Sequence, residues 1–226
     1  MTIAYNLEQV LQRIAKSVKK FRNNGDDVQL VAVSKTKPVE AIRMAWEQGQ
    51  KVFGESYVQE AVDKIEQLNN CDIEWHFIGP IQSNKTSAIA RHFNWCQSVD
   101  RSKIARRLSS QRPDELPPLN ICIQLNISSE PSKSGTDLEA LWPLAEEIAA
   151  LPNLTLRGLM TIPERQPDFE QQRKVFAAMH DIYNELKNRF DTVDTLSMGM
   201  SNDLEAAIAE GSTMVRIGTD IFGARE

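Results

Sequence analysis

The chain has 226 residues, 26 basic against 31 acidic, for a net charge of −5, with 41% hydrophobic and 25% charged residues. This is ordinary globular composition, which excludes a disordered, collagen-like or low-complexity chain. A mildly acidic chain without a basic block argues against a general nucleic-acid binder but leaves room for one small positive site for an anion, and no apolar run approaches the ~18 residues of a membrane span.

The N-terminal segment carries Ile3, Leu7, Val10, Leu11, Ile14, Val18 and Phe21 at steps of three and four. That spacing predicts one face of an amphipathic helix rather than a secretory signal, with Asn23-Asn24-Gly25 as its stop. Val28–Ser34 is a β-branched run and predicts a strand. Pro38 is placed to open a helix that runs to Gly49. The same grammar repeats: strand Lys51–Glu55, helix Tyr57–Leu68, strand Glu74–Gly79, helix Asn84–His92, strand Asn94–Val99, helix Arg101–Gln111 capped by Asp100. After a proline-marked loop, Asn120–Ser128 is expected to be the longest strand, followed by a loop with Pro131 and Gly135. The next helix ends near Leu151 and must start late or kink at Pro143. Then come strand Leu154–Thr161, helix Phe169–Arg189, strand Thr192–Met198, helix Asp203–Glu210, strand Thr213–Ile217 and the closing TDIFGARE.

Eight strands alternating with helices predict parallel pairing through crossover helices. Eight such units fit a (β/α)8 TIM-type barrel preceded by an N-terminal helix, a fold of typically ~250 residues, so residues 1–226 are expected to form one barrel domain. The alternative, a doubly wound open sheet, usually carries a glycine-rich turn after its first strand; here that turn is Ser34-Lys35-Thr36-Lys37-Pro38. Cys71, Cys96 and Cys122 are far apart and form no CxxC pair, so thiols packed as small hydrophobes in a reducing cytosol are expected.

Barrel sites form at the C-terminal strand ends, and phosphate commonly binds in the loops after strands seven and eight. Those loops contain Met200-Ser201 and Gly218-Thr219, small residues and hydroxyls suited to an anion. Plain turn chemistry, with Ser201 or Asn202 capping the next helix, would use the same residues. By period-two alternation Val31, Val33 and Lys35 share one face, which puts Lys35 at the barrel mouth. A lysine in a dry pocket can form a Schiff base; a solvated rim lysine or a countercharge for phosphate is the other reading. Lys37 is a weaker candidate, because the chain has turned towards the helix there. Arg216 can meet a ring nitrogen or carboxylate inside the barrel, or pair with Glu205. His76 is expected to be a packed, hydrogen-bonded core histidine, and no metal-ligand spacing joins His76, His92 and His180. Lysine, anion cup and inward arginine together fit pyridoxal 5′-phosphate (PLP). An arginine at the pyridine nitrogen would leave it unprotonated and weaken the ring as an electron sink.

Val33-Ser34-Lys35-Thr36-Lys37-Pro38, Phe53-Gly54-Glu55, the run Trp75–Lys85, Ser197-Met198-Gly199-Met200-Ser201 and Val215-Arg216-Ile217-Gly218-Thr219 together resemble the pyridoxal phosphate homeostasis protein family. The resemblance implies a barrel like the N-terminal domain of alanine racemase, usually monomeric. It implies PLP held as a Schiff base on Lys35, phosphate on Ser201, Gly218 and Thr219 with backbone from Met200, and Arg216 near the ring nitrogen. The family often has Asn where this chain has Ser56, which puts a cofactor contact there in doubt. The implied function is intracellular PLP homeostasis without established turnover, with PLP-dependent apo-enzymes as recipients and no nucleic-acid or membrane partner. A PLP-dependent amino-acid racemase is the alternative, and a PLP-free Schiff-base aldolase a third reading. Two-base racemization needs a second proton acceptor, which similar racemases take from a separate β-domain. Here only Tyr57 is expected near the mouth, with Tyr5 and Tyr183 on outer helices.

Overall fold

The computed structural model describes residues 2–22, 27–127 and 134–224. Its strands are β1 (Gln29–Val33), β2 (Val52–Glu55), β3 (Glu74–Phe77), β4 (Trp95–Val99), β5 (Leu119–Gln124), β6 (Leu154–Met160), β7 (Thr195–Ser197) and β8 (Met214–Ile217). Each pairs in parallel with the next, and β8 returns to β1, so the sheet closes as an eight-stranded barrel. The helices are α1 (Ile3–Phe21), α2 (Val39–Glu47), α3 (Val58–Gln67), α4 (Thr86–His92), α5 (Ser102–Gln111), α6 (Leu138–Ala150), α7 (Phe169–Arg189), α8 (Leu204–Ala209) and α9 (Thr219–Phe222). The alternation read from the sequence is therefore the architecture, with the N-terminal helix added outside the repeating units.

Two apolar layers hold it. The larger lies between strands and helices and includes Leu30, Ala32, Ile42, Phe53, Phe77, Ile104 and Met179. The smaller lies apart from it and consists of Trp95, Cys122 and Met160. Residues paired across a parallel sheet share a face, so Val31 faces the same side as its partner Arg216. A Cβ on Gly54 would meet the Val31 side chain, and Gly54 pairs with His76, which places these positions on the inner face.

Several details differ from the sequence reading. Leu11 is 45% exposed, because the buried stripe of α1 runs through Leu7, Val10, Ile14 and Ser17. Asp100 does not cap α5; Arg101 holds the cap position and its guanidinium pairs with the Asp100 carboxylate at 2.6 Å. Pro38 is the residue before α2 rather than its first. Pro143 sits inside α6, which starts early, at Leu138, on an Asp137 cap that accepts from the Ala140 N–H. The longest strand is β6, not β5. The Asn23-Asn24-Gly25 stop, Pro131 and the last two residues lie outside the described residues. All three cysteines are free thiols; Cys96 and Cys122 are buried, and burial pushes Cys96 up to about 12. Among the described residues no helix is long and apolar enough to cross a membrane.

Candidate functional site

At the C-terminal end of the barrel lies a cavity of about 250 Å³. All six residues singled out from the sequence line it: Lys35 after β1, Met200 and Ser201 after β7, Arg216 on β8, and Gly218 and Thr219 after it. Lys37, Ser56 and Ile162 complete other parts of the wall. Lys37 is tied back, its Nζ donating to the Ala224 carbonyl at 2.7 Å.

Lys35 stands on a braced turn. Thr36 has φ +63°, a left-handed conformation rarely taken by a β-branched residue. Its N–H donates to Glu60 Oε1 at 2.6 Å. Beneath it, Lys64 Nζ reaches the Ser34 carbonyl at 2.9 Å, Glu55 Oε1 at 2.8 Å and Glu60 Oε1 at 2.5 Å. Ser34 Oγ donates to the same Glu55 oxygen at 2.7 Å. Both Glu55 and Lys64 are buried. Burial raises the Glu55 pKa, and the Lys64 ammonium opposes that rise. Glu60 and Lys64 stand at i,i+4 on α3, and the pair carries the turn that presents Lys35.

Arg216 is held from inside the barrel. Its Nη1 donates to Ser197 Oγ at 2.7 Å and its Nη2 to the Thr161 carbonyl at 2.8 Å. Ser197 Oγ donates to Gln97 Oε1 at 2.6 Å, and Gln97 Nε2 contacts His76 Nδ1 at 2.7 Å. His76 Nε2 lies 2.9 Å from Glu74 Oε1. One assignment satisfies every group: each residue donates to the next, from the guanidinium to the Glu74 carboxylate. Burial lowers the His76 pKa, and its ring stacks on Trp95 with centroids 5.0 Å apart. Burial also draws the Arg216 guanidinium down to about 10, against the pull of Asp203, so it remains cationic at neutral pH. Glu205 does not pair with Arg216; it pairs with Arg13 at 2.6 Å.

The anion cup is built differently from the simplest reading. Neither Ser201 nor Asn202 caps α8; Asp203 precedes that helix and makes no side-chain cap bond to it. Its Oδ1 instead accepts the Met200 N–H at 2.6 Å, so that donor is already used. Met200 thus contributes cavity wall, not the free backbone donor expected of it. Gly199 has φ +97°, and a Cβ there would meet Ala207 Cβ at 2.6 Å, so this turn requires glycine. Gly218 has its own demand, since a Cβ would press on the Val33 carbonyl at 3.1 Å. No tyrosine lines the cavity: Tyr57 and Tyr5 are about half exposed, and Tyr183 is buried on α7.

The sequence reading missed Gln97, Ser197, Lys64 and Arg13. The first two sit in strands with more than one polar residue, Gln97 beside Ser98 and Ser197 two after Thr195, so the sequence did not single them out.

Comparison with known proteins bears on the family and the fold. The family model for the alanine racemase N-terminal domain matches residues 9–226. The pyridoxal phosphate homeostasis protein of Escherichia coli strain K12 is 53% identical over 227 residues, covering 99% of this chain and 97% of that protein. PipY of Synechococcus elongatus, solved with PLP bound, is 34% identical with a TM-score of 0.84, covering 98% of this chain and 100% of that one. Alanine racemase from Corynebacterium glutamicum, at 19% identity and a TM-score of 0.68, shares the fold over 98% of this chain and 60% of its own. A chain that matches the first of these relatives end to end at this identity belongs to the pyridoxal phosphate homeostasis protein family.

Proposed function

We propose that this chain holds PLP covalently on Lys35 and releases it to PLP-dependent apo-enzymes, as a cytosolic monomer, without turning over a substrate of its own. The observation that carries the reading is the meeting of an amine, a buried guanidinium, two hydroxyls and a glycine around one cavity: Lys35, Arg216, Ser201, Thr219 and Gly218. The donor set fits the group's chemistry: an amine for an aldehyde, a charged donor for a ring nitrogen, and small polar residues for a phosphate. The volume of about 250 Å³ is a little below the usual range for small-molecule pockets, which start at about 300 Å³, as suits a compact cofactor.

When bound, PLP supplies an electron sink whose strength depends on protonation of its ring nitrogen. Arg216 has N–H groups and no acceptor, so it can donate to an unprotonated ring nitrogen but cannot accept from a protonated one, as a carboxylate does. Ser197 and the Thr161 carbonyl fix two of its nitrogens and so aim the rest of the guanidinium. Ser201, Gly218 and Thr219 hold the phosphate. Among the described residues no tyrosine stands in the cavity wall to act as the second base that similar racemases take from a separate domain, and Lys37, which does line it, is tied to the Ala224 carbonyl. The weakened sink and the lack of a tyrosine in the wall both favour storage over catalysis.

The test is optical. The purified chain mixed with PLP should turn yellow, and Lys35→Ala should abolish or shift the visible band. A colourless protein, or an unchanged band in Lys35→Ala, would overturn the assignment. Alanine racemization at rates on the order of 1 s⁻¹ would overturn the non-catalytic part.

A further inference from the structure

Both loops of the anion cup are fastened to the N-terminal helix through one side chain. Arg13, midway along α1, donates through Nε and Nη2 to the two carboxylate oxygens of Glu205, at 2.6 and 3.0 Å. Its Nη1 donates to Asp220 Oδ2 at 2.8 Å, and its Nη2 also reaches the Ser201 carbonyl at 2.8 Å. Ser201 belongs to the loop after β7 and Asp220 to the turn of α9 after β8, next to Thr219. Two turns earlier on the same side of α1, Asn6 Nδ2 donates to the Ile221 carbonyl at 3.0 Å.

We infer that Arg13 is a positioning residue for the cofactor phosphate, stapling the two loops of the cup together and offsetting the two carboxylates beside it. This rests on the PLP reading above.

The staple acts in two ways. In a trans peptide, carbonyl and N–H point in opposite directions. Holding the Ser201 carbonyl towards α1 turns the Asn202 N–H away from α1, and Asn202 lines the cavity. The second effect is electrostatic. Asp220 directly follows the cup residue Thr219 and Glu205 lies four residues beyond Ser201, and Arg13 carries the cation that offsets both carboxylates. Without it, two negative charges next to the cup residues would be left without their countercharge, which disfavours a dianion there. Retention of the phosphate thereby depends on how α1 is seated, although α1 lies before the first βα unit.

The experiment compares PLP with pyridoxal, which has the aldehyde and ring but no phosphate. Dissociation of both is followed optically for the full chain and for Arg13→Met. Arg13→Met should release PLP about tenfold faster and leave pyridoxal within about twofold of the wild type. Arg13→Lys keeps the charge but puts it on a single nitrogen, which cannot reproduce the four-bond fork that three guanidinium nitrogens make to Glu205, Asp220 and Ser201. It should lose PLP by a smaller factor, and it guards against misfolding of the first variant. Equal acceleration for both aldehydes, or none for either, would overturn the inference. A wild-type chain that takes up neither aldehyde would instead overturn the PLP reading on which it rests.

Discussion

Arg216 and Ser197 meet inside the barrel at 2.7 Å, guanidinium Nη1 to hydroxyl Oγ, and both are buried. That hydroxyl also donates to Gln97, so one small side chain passes the pull of a buried cation across the lumen from β8 and β7 to β4. Ser197→Ala should leave Arg216 Nη1 and Gln97 Oε1 short of a partner. Loss of a buried hydrogen bond to a charged group predicts about 2 kcal/mol less unfolding free energy, read from chemical denaturation. Weakened PLP binding should accompany it, with Lys35 still attached. Unchanged stability would mean that water or a neighbour replaces the hydroxyl without cost.

Lys64 is the counterpart beneath Lys35. Removing one member of a buried ion pair leaves a charge without compensation, at a cost of about 3–5 kcal/mol. Lys64→Met should therefore be strongly destabilised, because Glu55 Oε2 already lacks a hydrogen-bond partner among the described residues. Lys64→Met/Glu55→Gln should recover much of the loss, since no buried charge remains. Equal stability of the single and double variants, by thermal unfolding, would contradict an ion pair at this position.

His76 gives a pH prediction. Burial depresses its pKa below the unfolded value of 6.5. As pH falls through about 6.5 the unfolded chain takes up this proton and the folded chain does not, so folding stability declines. His76→Gln removes that contribution. The melting temperature of the variant should fall less between pH 7 and pH 5.5 than that of the wild type. Parallel profiles would show that the ring is protonated inside the barrel.

The strand–helix alternation was readable because each strand is a short apolar run and each helix shows its own period. Lys35 was readable by counting from Val31 and Val33, which needs only that the strand faces inward. Gln97 was not, because every residue of β4 is buried and nothing in Trp-Cys-Gln-Ser-Val says which face is the lumen. Arg13 and Lys64 were not, because a long charged side chain on an amphipathic helix looks solvated until the loops it reaches are placed. Met200 shows the opposite failure: its position was right, but Asp203 had already taken its N–H.

Covalent attachment at Lys35 is the claim on which the rest depends. The direct measurement is borohydride reduction of the PLP-loaded chain, proteolysis, and mass mapping of the modified peptide. The mass added by reduced PLP should appear on Lys35, with Lys37 unmodified. Its appearance on Lys37 or another lysine, or its absence, would contradict the account.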